Sequence, residues 1–191
     1  AFHDRFLNGP ALRSNVLYAH LSFNAIVFVL MHIQLARPPG TPPILGTHRT
    51  LGRISFLCLT AGTACAVWLA SEHGPVTAYG GDLSKYGFWF MSSCVYACAV
   101  MGIVSIRKGN AAAHRIWMIR FAGSMWGAFW IFRLMLAVTG PLMREWESAS
   151  ILTSIWLSAP IGILLAEVLR RKWEQQSAAG APPLTTNSAN A

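Results

Sequence analysis

The stretch HRIWMIRFAGSMWGAFWIFRLMLAV, His114–Val138, decides the fold. From Ile116 to Val138 it is apolar apart from Ser124 and two charges, Arg120 and Arg133. At 1.5 Å per residue, about 20 such residues cross the hydrocarbon core of a bilayer. Four more blocks read the same way: Ser14–Ala36, Leu51–Ala70, Leu83–Ile106 and Ala149–Leu169. None alternates with period two, as a strand of a membrane barrel would. A soluble bundle is excluded by the length and uniformity of the blocks. The expectation is an all-α polytopic membrane helix bundle with five transmembrane helices, arranged as two hairpins plus one added helix.

Composition agrees. Of 191 residues, 54% are hydrophobic and 12% charged, against about 25% charged in soluble domains. Mean hydropathy is +0.44. The chain begins at Ala1 and reads as processed or truncated. Its first segment, AFHDRFLNGPALR, lacks an apolar core and is no signal peptide. Residues 1–13 are expected to form a loop, 14–172 the bundle and 173–191, small, polar and proline-bearing, a disordered tail.

The net charge of +8 is a matter of membrane orientation rather than nucleic-acid binding. With five spans, one side collects Arg37, Arg49, Arg53, Arg107, Lys108, Arg115, Arg120, Arg170, Arg171 and Lys172. The other has Arg5, Arg13, Lys85 and Arg144 beside Asp4, Glu72, Asp82, Glu145 and Glu147. The positive-inside rule turns the first side, with the C-terminus, toward the cytoplasm, matrix or stroma. The protein is expected in a bacterial inner membrane or an organelle inner membrane.

Gly123 and Gly127 form a GxxxG on the fourth helix, and TAGTACA gives the second a run of small residues, both helix-packing signals. Pro160 is expected to kink the fifth helix. Cys58, Cys65, Cys94 and Cys98 show no CxxC or metal spacing and read as packing residues. The second and fourth helices both open on the basic side with His-Arg, a weak sign of an internal repeat.

The candidate site residues are polar groups at these helix ends. His48, Arg49, Arg53, His114, Arg115 and Arg120 gather at two helix N-termini, no carboxylate occurs in 36–71 or 106–138, and the nearest candidates are Glu167 and Glu174 by the fifth helix. Helix ends and arginines together call for an anion: an anionic lipid phosphate, or the propionates or carbonyls of a cofactor. The positive field favours neutral imidazole at His48 and His114, the form that ligates iron or zinc. His32 is a weaker third candidate. On the acidic side, Arg133 lies 19 residues beyond His114, about 28 Å along the helix. With His20 and, one turn on, Asn24, it forms either a structural hydrogen-bonding set, Arg133 snorkelling to Glu145 or Glu147, or a second polar cofactor or substrate site. His3 and His73 read as solvated loop residues.

These residues in this order resemble a known family. His20 in the first helix, His48-Arg49-x-x-Gly52-Arg53 opening the second, His114-x-x-Trp117-Met118-x-Arg120 opening the fourth, and Arg133 late in it are similar to the predicted multi-helix membrane proteins grouped as a domain of unknown function, number twenty-three-oh-six in that series. The resemblance covers about residues 16–138 and leaves out the fifth helix and tail. It implies a membrane bundle and no mechanism.

Three functions stay open. A b-type haem protein that transfers electrons, or one holding a quinone-like cofactor, uses the histidines and arginines together, with haem b held by His48 and His114 as metal ligands. An accessory or scaffold subunit of a larger membrane complex, gripping anionic lipid, uses the arginines and small residues. A small-anion carrier fits less well, with one arginine buried in the spans. No catalytic constellation or nucleic-acid motif is present. The topology itself is testable. Cysteines introduced as Thr41→Cys and Gly80→Cys should label from opposite sides of the membrane, and labelling from one side would break the five-span reading.

Overall fold

The computed structural model describes residues 11–36, 45–72, 81–142 and 147–179. They form five helices: α1 Ala11–Leu35, α2 Leu45–Ser71, α3 Asp82–Arg107, α4 Ala111–Leu142 and α5 Glu147–Ala179. All five contain a segment long and apolar enough to cross a membrane. The chain is an integral membrane helix bundle.

Several boundaries differ from the apolar blocks for physical reasons. α1 starts at Ala11, so Ala11–Arg13 are helical where a loop was expected. α2 starts six residues before its block, because the turn carrying His48 and Arg49 is helical though polar. α5 runs through Trp173 to Ala179, past the expected start of the tail. Its polar end is held by Glu167 to Arg170 and Arg171 and by Arg170 to Glu174, pairs spaced three or four residues apart. α5 also continues through Pro160.

α1 packs on α2, α2 on α3, α3 on α4, and α5 lies across α3 and α4. The first four helices enclose one core of Val27, Met31, Leu59, Val95, Phe121 and Met125 with smaller neighbours. The outer surface is strongly apolar, as a lipid-facing surface must be. On α5 alone Leu157, Leu164, Leu165, Val168 and Leu169 are exposed.

The closest helix pair is α4 with α5, and small residues are the cause. A Cβ on Gly123 would meet the carbonyl oxygen of Gly162, and one on Gly127 that of Ser158. Ser150, Ser154 and Ser158 run along the same buried seam at four-residue spacing. Each finds a hydrogen bond: Ser154 Oγ donates to Ser150 O at 2.8 Å, Ser150 meets Thr139 at 2.5 Å, and Ser158 Oγ reaches Met91 Sδ at 3.5 Å. With no hydrophobic drive between helices in lipid, this close fit is what joins them.

α4 is not a uniform helix. Residues Gly127–Ile131 form a π turn, with the Phe132 N–H reaching Gly127 O. An added residue of this kind rotates everything beyond it relative to the preceding turns. Gly123 and Gly127 stay seated on α5, while Phe129 packs on Phe28 of α1 and Arg133, exposed, stands at the rim of a cavity between the first four helices.

The seam gives a direct test. Gly162→Ala should lower stability by about 1–3 kcal/mol, because a backbone carbonyl has to give way. Gly46→Ala, with nothing within 4 Å of the new Cβ, should be neutral or gain up to about 1 kcal/mol. Thermal unfolding in detergent measures both, and equal effects would contradict the seam.

Candidate functional site

At the basic end, α2 and α4 each place a histidine one turn inside the helix start. α4 is opened by Asn110, whose side-chain oxygen accepts from Ala113 N at 2.8 Å. His114 then points at α3 and donates from Nδ1 to Gly102 O at 2.8 Å. Gly102 permits the approach: a Cβ there would lie 3.0 Å from Met118 Cε and 3.7 Å from His114 Nδ1. With its proton on Nδ1, the His114 ring carries its lone pair on Nε2. A backbone carbonyl orients metal-bound imidazoles in the same way.

His48 sits against it. The two ring centroids are 6.3 Å apart and the ring planes are perpendicular, at 88°. Two imidazoles bound to one ion from opposite sides, each at about 2 Å, place their centroids about 6 Å apart. The pair thus has the spacing of a two-histidine ligand set. α2 and α4 have no broad contact with each other, so the histidines face across a division between helices. Among the described residues no group of three or more His, Cys, Asp or Glu is disposed to hold a metal.

The arginines divide. Arg120 has no carboxylate nearby in sequence, but Glu167 of α5 lies 3.4 Å from its Nε, and the guanidinium also stacks over Trp117 at 4.7 Å. Glu167 also receives Arg170 and Arg171 at 2.7 and 2.9 Å. Arg120 therefore serves to fasten α4 to α5. Arg49, Arg53 and Arg115 are exposed, and none of them is in an ion pair among the described residues. Arg115 lies over the Trp173 ring at 5.7 Å.

His32 does not join the histidine pair. Its Nδ1 donates to Phe28 O at 2.7 Å, and its Nε2 accepts from the Trp126 indole at 3.1 Å, so both ring nitrogens are engaged.

In the other membrane half, His20 donates from Nδ1 to Gly62 O on α2 at 2.9 Å, the cross-helix bond expected for it. Asn24 Nδ2 donates back to His20 O at 2.8 Å. Gly62 brings the two helices together, since a Cβ there would meet Asn24 Nδ2 at 2.9 Å. Arg133 is bonded to its own helix, and the side chains of its expected carboxylate partners are outside the described residues. Its Nη1 donates to Phe129 O at 2.5 Å and also approaches Ala128 O at 3.4 Å. Glu145 lies outside the described residues, as do His3 and His73, and the Glu147 side chain is likewise not described. His20, Asn24 and Arg133 all line one half-enclosed cavity of about 110 Å³ between α1, α2, α3 and α4.

Sequence reasoning selected the polar side chains and missed their backbone partners. The carbonyls of Gly62, Gly102 and Phe129 are silent in a sequence. The spacing of Gly62 and Gly102 opposite a histidine on a neighbouring helix becomes a signal only once the hairpins are aligned.

Glu167 is the hub of the basic end, its side chain 14% exposed. Glu167→Gln should destabilise the protein by about 1–3 kcal/mol, because three arginine contacts lose their charged acceptor. Arg115→Gln should change stability by less than about 0.5 kcal/mol. Detergent melting curves for the two variants decide it, and equal losses would remove Glu167 from that role.

The family model described as "Predicted membrane protein (DUF2306)" matches residues 17–169, which extends the resemblance through most of α5. No curated protein and no solved structure matches the chain.

Proposed function

We propose that this chain, which belongs to the DUF2306 family of predicted membrane proteins, is a membrane electron-transfer protein that binds one b-type haem between His48 and His114. The observation that carries the reading is the imidazole pair: 6.3 Å between ring centroids, on two helices without a broad mutual contact. His114 is further held in the Nδ1–H tautomer by Gly102 O. Such a group supplies one-electron redox chemistry when bound. His48 and His114 would hold it, and Arg49, Arg53 and Arg115 would supply counter-charge for its propionates. Arg120 stays with Glu167, as the hinge pin between α4 and α5. The cavity beside His20 and Arg133, at about 110 Å³, is far smaller than a porphyrin, so the reading assigns one haem, at the basic end.

The same exposed arginines support anionic lipid as the surrounding partner, with the basic side and the C-terminus toward the cytoplasm, matrix or stroma of a bacterial or organelle inner membrane. A non-catalytic accessory subunit of a larger membrane complex is what remains if the histidine pair holds no cofactor.

The visible spectrum of protein purified in detergent, after expression with haem supplied, tests the reading. A Soret band should be present and should be lost or shifted in His48→Ala and in His114→Ala, because each removes one axial ligand. It should survive in His73→Ala. A colourless wild type, or a band indifferent to both ligand variants, would falsify the haem assignment.

A further inference from the structure

We infer that the basic end of the bundle is the docking surface for an acidic, water-soluble protein that carries one electron. The choice of an electron carrier rests on the haem reading above; the surface and its charge do not.

The surface is built from four segments that the structure brings together. His114 bonds to Gly102 O, which ties the start of α4 to the last turns of α3. Trp173, near the end of α5, lies under the Arg115 guanidinium, and His48 carries the start of α2 up against His114. Around the histidine pair stand six exposed cations: Arg49 and Arg53 on α2, Arg107 and Lys108 at the end of α3, Arg115 on α4 and Lys172 on α5. None of the six is in an ion pair among the described residues. The carboxylates at this end, among the described residues, are Glu167 and Glu174, and both are taken by Arg170 or Arg171.

The positive-inside rule accounts for an excess of cations on this side. It does not require that every carboxylate there be neutralised, and it does not gather the remaining charge around two imidazoles. A haem's propionates would draw on Arg49, Arg53 and Arg115, and Arg107, Lys108 and Lys172 lie outside that set. This end therefore stays positive with the site filled. A positive field over several neighbouring side chains attracts an acidic partner and speeds its encounter.

Direction separates this partner from lipid. Lys108, Gly109 and Asn110 form the turn between α3 and α4, and all three are exposed. Irregular backbone joining two spans lies outside the hydrocarbon, facing water, whereas lipid phosphates lie at the sides of a bundle. His114 is one turn from Asn110, about 6 Å along α4, so the imidazole pair is close beneath this face. The inner cavity is too small for a second haem, and the core of Leu59, Val95, Phe121 and Met125 closes the way to the other membrane surface. A single site at the basic end thus exchanges electrons with the water on its own side. One electron leaves the carrier's reduced iron–sulfur or flavin centre and is accepted at the site, with no bond made or broken and no proton moved.

The test uses the full chain in nanodiscs of zwitterionic phosphatidylcholine, prepared with haem supplied and without it. The probe is a fluorescently labelled two-iron ferredoxin of negative net charge, and its anisotropy on titration with nanodiscs measures binding. Saturable binding of one probe per chain is expected, weakened at least about tenfold when salt is raised from about 20 to about 300 mM. Lys108→Glu combined with Lys172→Glu should weaken it at least about tenfold, whereas Lys85→Glu, on the opposite side, should leave it unchanged. In haem-loaded protein the rate at which reduced ferredoxin shifts the Soret band should fall with the same paired variant. Absence of saturable binding overturns the proposal, as does binding indifferent to the paired variant or matched by a basic cytochrome c. Binding lost when phosphatidylglycerol is added to the nanodiscs overturns it too, because lipid then covers the surface. Colourless protein that still binds the probe overturns the haem reading and leaves the surface standing; coloured protein that does not bind does the reverse.

Discussion

In hydrocarbon a polar group has to find its partner within the protein, and the interior of this bundle is arranged around that requirement. His20, His32 and His114 each give their Nδ1 proton to a backbone carbonyl, two of them across a helix boundary. Trp89 and Trp156 likewise donate to the carbonyls of Val67 and Leu83 on facing helices. A helical carbonyl keeps a second lone pair after accepting its own N–H, so it can take such a bond without breaking the ladder. At Gly62 and Gly102 the missing side chain also leaves room for close neighbours, Asn24 at the first and Met118 and His114 at the second. At His20 and His114 these bonds put the ring proton on Nδ1 and the lone pair on Nε2, whereas at His32 the Nε2 lone pair is taken by the Trp126 indole.

The α4–α5 seam meets the same requirement with smaller groups. Its serines bond to the preceding turn or to a neighbouring side chain, and glycines remove the bulk between the backbones. The π turn lies where α4 presents Gly123 and Gly127 to α5 and, just beyond, packs Phe129 on Phe28 of α1. An unbroken α-helix repeats its faces every 3.6 residues, and one inserted residue re-aims its second half. Arg133 then donates to the carbonyl of Phe129 on its own helix, at the rim of the inner cavity.

The five spans were legible because run length and apolarity are sufficient to identify them, and the GxxxG of α4 was legible as a packing signal. The ends were less so. The amphipathic turn around His48 and the charged end of α5 are helical because of local hydrogen bonds and i,i+4 pairs that hydropathy does not register. For the site, His20, His48, His114 and Arg133 stood out because ionisable residues are rare in such spans. Arg120 stood out for the same reason, yet its partner Glu167 is 47 residues away and was weighed only as a neighbour of the fifth helix. The π turn had no sequence signal, since it arises from how α4 docks and not from any local preference. Pro160 signalled a kink, and α5 runs on as one helix through it.

The two polar centres differ in a way that follows from depth. At the basic end the histidines stand beside exposed arginines and helix N-termini, where charge is hydrated and an anionic group can be neutralised from several directions. In the inner cavity there is one arginine, partly spent on its own helix, and the other polar groups are neutral. An anion brought there would leave water for a single, incompletely available counter-charge, and the cost of its desolvation would exceed the gain. A neutral molecule that needs only hydrogen bonds loses much less. Charge is therefore accommodated at the membrane surface and hydrogen-bonding neutrality inside it, and the core of Leu59, Val95, Phe121 and Met125 separates the two.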